Sequence, residues 1–244
     1  MPFIFLLLCS LVLTSTASAN IGSVILHEGS GAVERTDGKE ATTEVDLQIF
    51  SYDTIKTGKG QTAVEFIDET RVDVTQHSKL IIDEFVYDPK AKTGKLSLKA
   101  SLGTVRYASG QIAKNSKQNV IIKTPTAVVG VRGTDFTMTI DEIGSSTIIL
   151  LPSCNTNGQC YVGEISVESD AGQVILNQAF QATVVDTISS TPMKPVILDL
   201  DEEMINNLLI ISKPTEIQQQ QSNEAYNAVA NALDIDFLQF DDLE

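Results

Sequence analysis

The side chains able to do chemistry are few, and their spacing matches no familiar constellation. The histidines are His27 and His77. Both lie in polar, turn-like contexts, where an exposed or locally hydrogen-bonded imidazole is expected rather than a ligand pair. Cys9, Cys154 and Cys160 form no Cys-x-x-Cys, and no His-x-x-x-His is present, so no zinc site is expected. The stretch Thr57-Gly58-Lys59-Gly60-Gln61-Thr62 has the composition of a phosphate loop without its glycine spacing or its Lys-Ser/Thr pair, and reads as a hairpin turn. No serine stands in Gly-x-Ser-x-Gly. The pairs Asp68-Glu69 and Asp83-Glu84 would serve acid/base chemistry only in a suitable geometry, which the sequence does not supply. The expectation is a protein without catalytic residues, cofactor or metal.

Two other groups of residues have a structural reading first. In residues 124–136 an apolar run containing Gly130 is closed by Arg132-Gly133-Thr134. A glycine inside such a run marks a bend or a close backbone approach. Arg132 is expected to satisfy carbonyls at a chain corner; an anionic partner is the alternative. Cys154 and Cys160 enclose a polar loop with Asn157-Gly158 at its tip, and a disulfide across its base is expected.

The elements that must position these residues belong to an acidic chain. Among 244 residues, 17 Lys and Arg face 32 Asp and Glu, a formal charge of −15. Nucleic acid and anionic lipid would be repelled. The acidity is uneven: residues 199–244 hold eleven acids against one base, Lys213.

The N-terminus reads as a targeting segment. An apolar run over residues 3–13 precedes Ala17-Ser18-Ala19, the pattern of a cleaved secretory signal over residues 1–19, although a basic n-region is missing. The run is shorter than the roughly 20 apolar residues a spanning helix needs. The mature chain is therefore expected outside the cytoplasm, periplasmic or extracellular, without a transmembrane segment, where disulfides persist.

From Ile21 onward short β-rich runs recur between Gly, Asp, Asn and Pro, with almost no helical periodicity. Lys95-Leu96-Ser97-Leu98-Lys99 alternates cleanly, and Phe136, Met138 and Ile140 share one face. Such strands fit a sandwich, a barrel or a stacked solenoid. The order and spacing of Asp53-Thr54-Ile55-Lys56-Thr57-Gly58, Ala63-Val64-Glu65-Phe66, Leu102-Gly103-Thr104-Val105 and residues 124–136 resemble the FecR domain family, over about residues 21–167. The resemblance implies a mainly β fold for residues 20–190, as a β-solenoid-like stack or a rolled β-sheet. It also implies a periplasmic place and a part in signalling from an outer-membrane transporter to a sigma factor. The family's anti-sigma segment and membrane helix are replaced here by the expected signal.

Residues 191–244 change texture. Proline-containing links, two short helices and an acidic tail are expected, the first helix opening at Asp199 with Glu202 as its capping partner. Near the end Ile235, Phe237, Leu238 and Phe240 stand among acids and are candidate partner contacts, or pack on the body. The leading functional expectation is a non-enzymatic, exported binding or scaffolding module whose partner is an envelope protein or a surface polymer. A self-associating surface protein is the alternative, and a carbohydrate-active enzyme the third. The sequence does not set the oligomeric state.

Overall fold

The structure, a computed structural model, describes residues 19–116, 118–154 and 159–200. The expected signal over 1–19 lies almost wholly outside them, as do the expected helices past residue 200 and Ile235, Phe237, Leu238 and Phe240. No helix among the described residues is long and apolar enough to cross a membrane.

The chain is mainly β. It opens with β1 (Asn20–Glu34), β2 (Glu40–Thr42), β3 (Gln48–Phe50), β4 (Thr54–Phe66), β5 (Arg71–Val74), β6 (Lys79–Asp88) and β7 (Thr93–Ala108). A one-turn helix α1 (Gln111–Asn115) follows, then β8 (Val120–Lys123), β9 (Val128–Arg132), β10 (Asp135–Ile140) and β11 (Ser146–Leu151). A small ladder of β12 (Ser153–Cys154) and β13 (Cys160–Tyr161) precedes β14 (Glu164–Ser169), β15 (Gly172–Leu176), β16 (Gln181–Val185) and β17 (Val196–Ile197). All but β12 and β13 join one sheet.

Three long strands give this sheet its shape. The N-terminal half of β7 pairs with β6 and β8, and its C-terminal half pairs with β5 and β10. β4 divides in the same way between β6 and β5, and β1 follows β4 along its whole length. Two layers result, which share β1, β4 and β7. One continues through β8, β9, β14 and β15, the other through β10, β11, β16 and β17.

The bends fall at glycines. Gly29 and Gly60 pair across β1 and β4 with φ of +80° and +116°, and Gly103 in β7 has φ of +81°. A Cβ on Gly29 would stand 1.9 Å from the Lys59 carbonyl, so only a bare backbone passes there. Hydroxyls complete the corner: Ser78 Oγ accepts the Thr104 amide at 3.0 Å, and Thr57 Oγ1 accepts the Ser78 amide at 3.0 Å. Residues 57–62 are thus the bent middle of β4, not the hairpin turn their composition suggests. Turn-forming glycines also bend a strand when both neighbours bend with it.

Alternation then sorts the side chains. Leu96, Leu98, Val129 and Val131 of one layer and Val72, Tyr107, Phe136 and Met138 of the other enter a single apolar cluster. Phe66, at the end of the shared strand β4, and Phe85 of β6 stack at 5.4 Å within it. Burial of this kind yields roughly 25 cal/mol per Å² of apolar surface and is the main force holding the layers together.

All pairings are antiparallel except β7 with β8. That pair needs a crossover, and α1 with its flanking loops supplies it, burying Ile112 and Ala113 in the core. A rolled sheet describes this pairing; the parallel stacking of a solenoid is limited to this one pair and is not shown as an architecture. Residues 191–200 stay on the sheet, through the Met193 amide on the Val184 carbonyl and the pairing of β17 with β16.

Candidate functional site

The features singled out in the sequence converge at one end of the roll. β9 belongs to one layer and β10 to the other, so Arg132-Gly133-Thr134 is the corner where the chain crosses between them. Gly133 makes the turn with φ of +64° and lies against α1, its missing Cβ 3.5 Å from the Ala113 carbonyl. Thr134, fully buried, fastens three segments. Its Oγ1 donates to the Leu151 carbonyl at 3.2 Å and accepts the Gly163 amide at 3.2 Å, and its carbonyl accepts from Ser109 Oγ at 2.6 Å. Gly130 sits earlier, at mid-β9 on the outer face, where a Cβ would meet Ser166 Oγ at 2.7 Å.

Arg132 does not reach main-chain carbonyls as expected. It forms an ion pair with its cross-strand neighbour Glu164 on the outer surface. The register of β9 against β14 decides this, and register is not visible in the run itself.

Below the corner lies a polar knot that the sequence reading did not identify. Asp68 is completely buried. Its carboxylate accepts the Thr70 amide at 3.1 Å, the Thr70 hydroxyl at 2.8 Å and the Ile112 amide at 3.2 Å, while its carbonyl accepts the Gln111 amide. It thereby caps α1 from a distant turn. Asp135, half-buried at the start of β10, accepts the Ser109 amide at 3.1 Å. Burial pushes its carboxyl up to about 6, against the opposing pull of Ser153, the Ser109 amide and the Lys114 charge. Asp135 lies in the singled-out run 124–136 and Asp68 in the Asp68-Glu69 pair, but nothing local to either pointed to α1 as the partner.

The same end carries the disulfide. Cys154 and Cys160 are bonded and directly opposed in the β12–β13 ladder, as their spacing implies. Asn157-Gly158, expected at the tip, lies outside the described residues. Cys160 packs with Leu151, Phe180 and Leu200 in a second apolar cluster. The point from which residues 201–244 continue is therefore beside the disulfide hairpin.

The remaining candidates are held structurally. His27 Nδ1 lies 3.0 Å from Thr62 Oγ1, and the His77 amide donates to the Gly58 carbonyl. In the second acid pair Asp83 faces Ser97 and Lys123, and Glu84 faces Lys95. With Asp68 used as a cap, neither pair stands as an acid/base couple. No group of three potential metal ligands occurs among the described residues. At the far end of the roll Asp53, 1% exposed, pairs with Arg35 and accepts the Phe50 amide at 2.8 Å. The Arg35 guanidinium also donates to the Gln48 carbonyl and stacks over the Phe50 ring at 5.0 Å.

These fastenings bracket a known domain. Residues 53–151 match the family model for the FecR protein. The FecR match begins at Asp53, the buried partner of Arg35, and ends at Leu151, whose carbonyl holds Thr134. It contains the corner, α1 and both acids of the knot. Two crystal structures, each described as a candidate anti-sigma factor from Parabacteroides distasonis ATCC 8503, are similar to the chain. Their TM-scores are 0.43 and 0.44, each with 13% identity. The alignments cover 60% and 71% of this chain, and 60% and 74% of those chains. The chain thus spans less than two thirds of the first. No curated protein matches the chain.

Proposed function

We propose that this chain is a non-enzymatic, exported FecR-domain module of the cell envelope that takes part in signalling by docking an envelope protein. In this reading residues 1–19 are a cleaved signal, residues 20–190 the rigid β body, and residues 191–244 an appendage ending in the contact residues Ile235, Phe237, Leu238 and Phe240. The observation that carries it is the shared cluster of Cys160, Leu151, Phe180 and Leu200. It sets the disulfide hairpin and the root of the acidic tail side by side on one end of a rigid frame. Tyr161 and Val162, both exposed, flank the disulfide there and supply the apolar component of a contact. The disulfide itself favours an oxidising compartment, and the FecR match favours a regulatory role.

The test is a crosslinking capture from the native envelope with three proteins: the mature chain, a form ending at Leu200, and Cys154→Ser/Cys160→Ser. One dominant partner, weakened in both altered forms, is expected. Equal capture by all three removes the hairpin and tail from the function. Among the described residues β15 pairs with β14 alone, which favours a second reading, self-association by strand addition; light scattering that stays at monomer mass over a hundredfold concentration range would end it.

A further inference from the structure

The pairing of β15 leaves one row of backbone groups pointing off the sheet. Ser169 and Gly172 face each other across a two-residue turn, which makes them a hydrogen-bonded pair. Alternation then gives Val174 and Leu176 to β14 as well, and turns the N–H and C=O groups of Gln173 and Ile175 to the opposite side. Among the described residues no strand lies there. The tip of the hairpin is fastened separately. The Asp170 amide donates to the Ile188 carbonyl, Ser169 Oγ to the Ser190 carbonyl at 2.8 Å and Thr191 Oγ1 to the Ala171 carbonyl at 3.4 Å. These bonds stop short of Gln173, so the four outward groups sit on a strand already held in place.

Sheets ordinarily protect such an edge by charge, proline, a bulge or shortness. The other margins do so here. β2 and β3 have three residues each, the first with Glu40 and the second with its Gln48 carbonyl taken by Arg35, and β17 has two residues after Pro195. β15 has five residues, with no charge, no proline and no register shift, and Gln173 and Ile175 are exposed. Charge also selects the occupant. At a formal −15 most of the surface repels a second copy, but residues 171–185 carry no charge. Let β15 pair antiparallel with β15 of a second copy about Val174. Gln173 then stands opposite the other copy's Ile175, so outward groups meet outward groups on both sides of the axis. Glu168, beside Gln173 on β14, is three strand spacings and two residues from its counterpart, about 16 Å and beyond the screening length of about 8 Å.

We propose that two copies of this chain join edge to edge through β15 as a two-fold dimer with Val174 on the axis. The proposal rests on the second reading above, self-association by strand addition, and adds its register and its limit of two. A pairing that uses the same edge on both copies closes at the dimer, whereas β15 of one copy on β17 of the next would grow without end. β14 starts at Glu164, opposite Arg132 of the corner. Antiparallel pairing therefore points the corners and disulfide hairpins of the two copies in opposite directions.

The test oxidises three variants of the full chain, Val174→Cys, Gln173→Cys and Ile175→Cys, each with Cys9→Ser and with the Cys154–Cys160 bond kept, and measures mass by light scattering. Across the axis the Cα atoms of residue 174 lie about 4.5 Å apart, within disulfide reach, while those of 173, and of 175, lie about 8 Å apart, outside it. A dimer mass is expected, with Val174→Cys crosslinking between chains at least tenfold faster than the other two. A dimer that crosslinks equally at all three positions, or at none, overturns this pairing and leaves self-association standing; masses that grow past two overturn closure; a monomer ends both. A second arm uses Gln173→Pro, which removes an N–H that β14 does not use, and Ile175→Lys, at a side chain 39% exposed. Both are expected to keep the melting temperature of the monomer and to raise the dimer dissociation constant at least tenfold. An unchanged constant in either folded variant overturns the proposal.

Discussion

The Asp68 carboxylate accepts the Ile112 amide at 3.2 Å, and the two residues are 44 positions apart in the chain. This bond ties the β4–β5 turn to the helix that closes the roll. Asp68→Asn keeps the size but puts a donor among donors: the Thr70 amide, the Thr70 hydroxyl and the Ile112 amide. Hydrogen bonds to a buried charged group are strong, and leaving donors unsatisfied is costly. The substitution is expected to lower unfolding stability by about 3 kcal/mol. Urea denaturation measures this, and a loss below about 1 kcal/mol would show that α1 is held by Ile112 packing alone.

The bends make a sharper steric prediction. A Cβ on Gly60 would lie 1.9 Å from the Glu28 carbonyl at φ of +116°, whereas Gly38, at φ of +79°, has nothing within 4 Å. Gly38→Ala carries only the conformational cost of about 1 kcal/mol. Gly60→Ala adds a backbone clash and is expected to cost at least about 3 kcal/mol, or to prevent folding. Equal melting temperatures for the two variants would mean that the strands can bend elsewhere.

What the sequence made legible follows from the range of each interaction. Alternation in Lys95-Leu96-Ser97-Leu98-Lys99 and in Phe136, Met138 and Ile140 is local, and the structure buries Leu96, Leu98, Phe136, Met138 and Ile140 as read, while Ser97, on the face expected to be wet, is buried too and bonds to Asp83. The Cys154–Cys160 bond is likewise local. Gly29, Gly60 and Gly103 were legible as interruptions, but whether they end a strand or bend it depends on partners that continue past the bend. Asp68 was illegible because the amide it caps belongs to Ile112. Arg132 was read as a held residue, and its actual partner, Glu164, depends on register between two strands. The cross-strand row Ala63, Asp73, Arg106, Thr137, Ile149 and Ala182 requires the alignment of six strands and could not be inferred from any one of them.

Two arginine pairs separate buried from exposed charge. Arg35 pairs with Asp53, whose side chain is 2% exposed, and Arg132 pairs with Glu164 at 41% and 33% exposure. Arg35→Ala strands a carboxylate already disfavoured by burial and also loses the stacking on Phe50. It is expected to cost about 3 kcal/mol. Arg132→Ala exposes Glu164 to water and should cost less than about 1 kcal/mol. If thermal denaturation gives the reverse order, the corner depends on the Arg132 ion pair more than on the buried hydrogen bonds of Thr134.

The raised carboxyl of Asp135 sets a pH dependence with a definite sign. Its folded value is about 6, against an ordinary value of 3.8. The folded state therefore holds this proton more tightly than the unfolded state, and the contribution to stability is fully present below pH 4. It is lost as pH rises through 6, by about 3 kcal/mol for a shift of this size. Asp53, also raised by burial, acts in the same direction, while Asp83, lowered chiefly by Lys123 and Ser97, acts oppositely. The difference between wild type and Asp135→Asn isolates the one residue. The variant loses some hydrogen bonding to the Ser109 amide but carries no charge, so above pH 7 it should be the more stable protein. Below pH 4, where Asp135 is protonated in both states, that advantage should vanish. Parallel stability curves for the two proteins between pH 4 and pH 8 would mean that Asp135 is ionised in the folded protein without penalty, with Lys114 and the surrounding hydroxyls compensating for its burial.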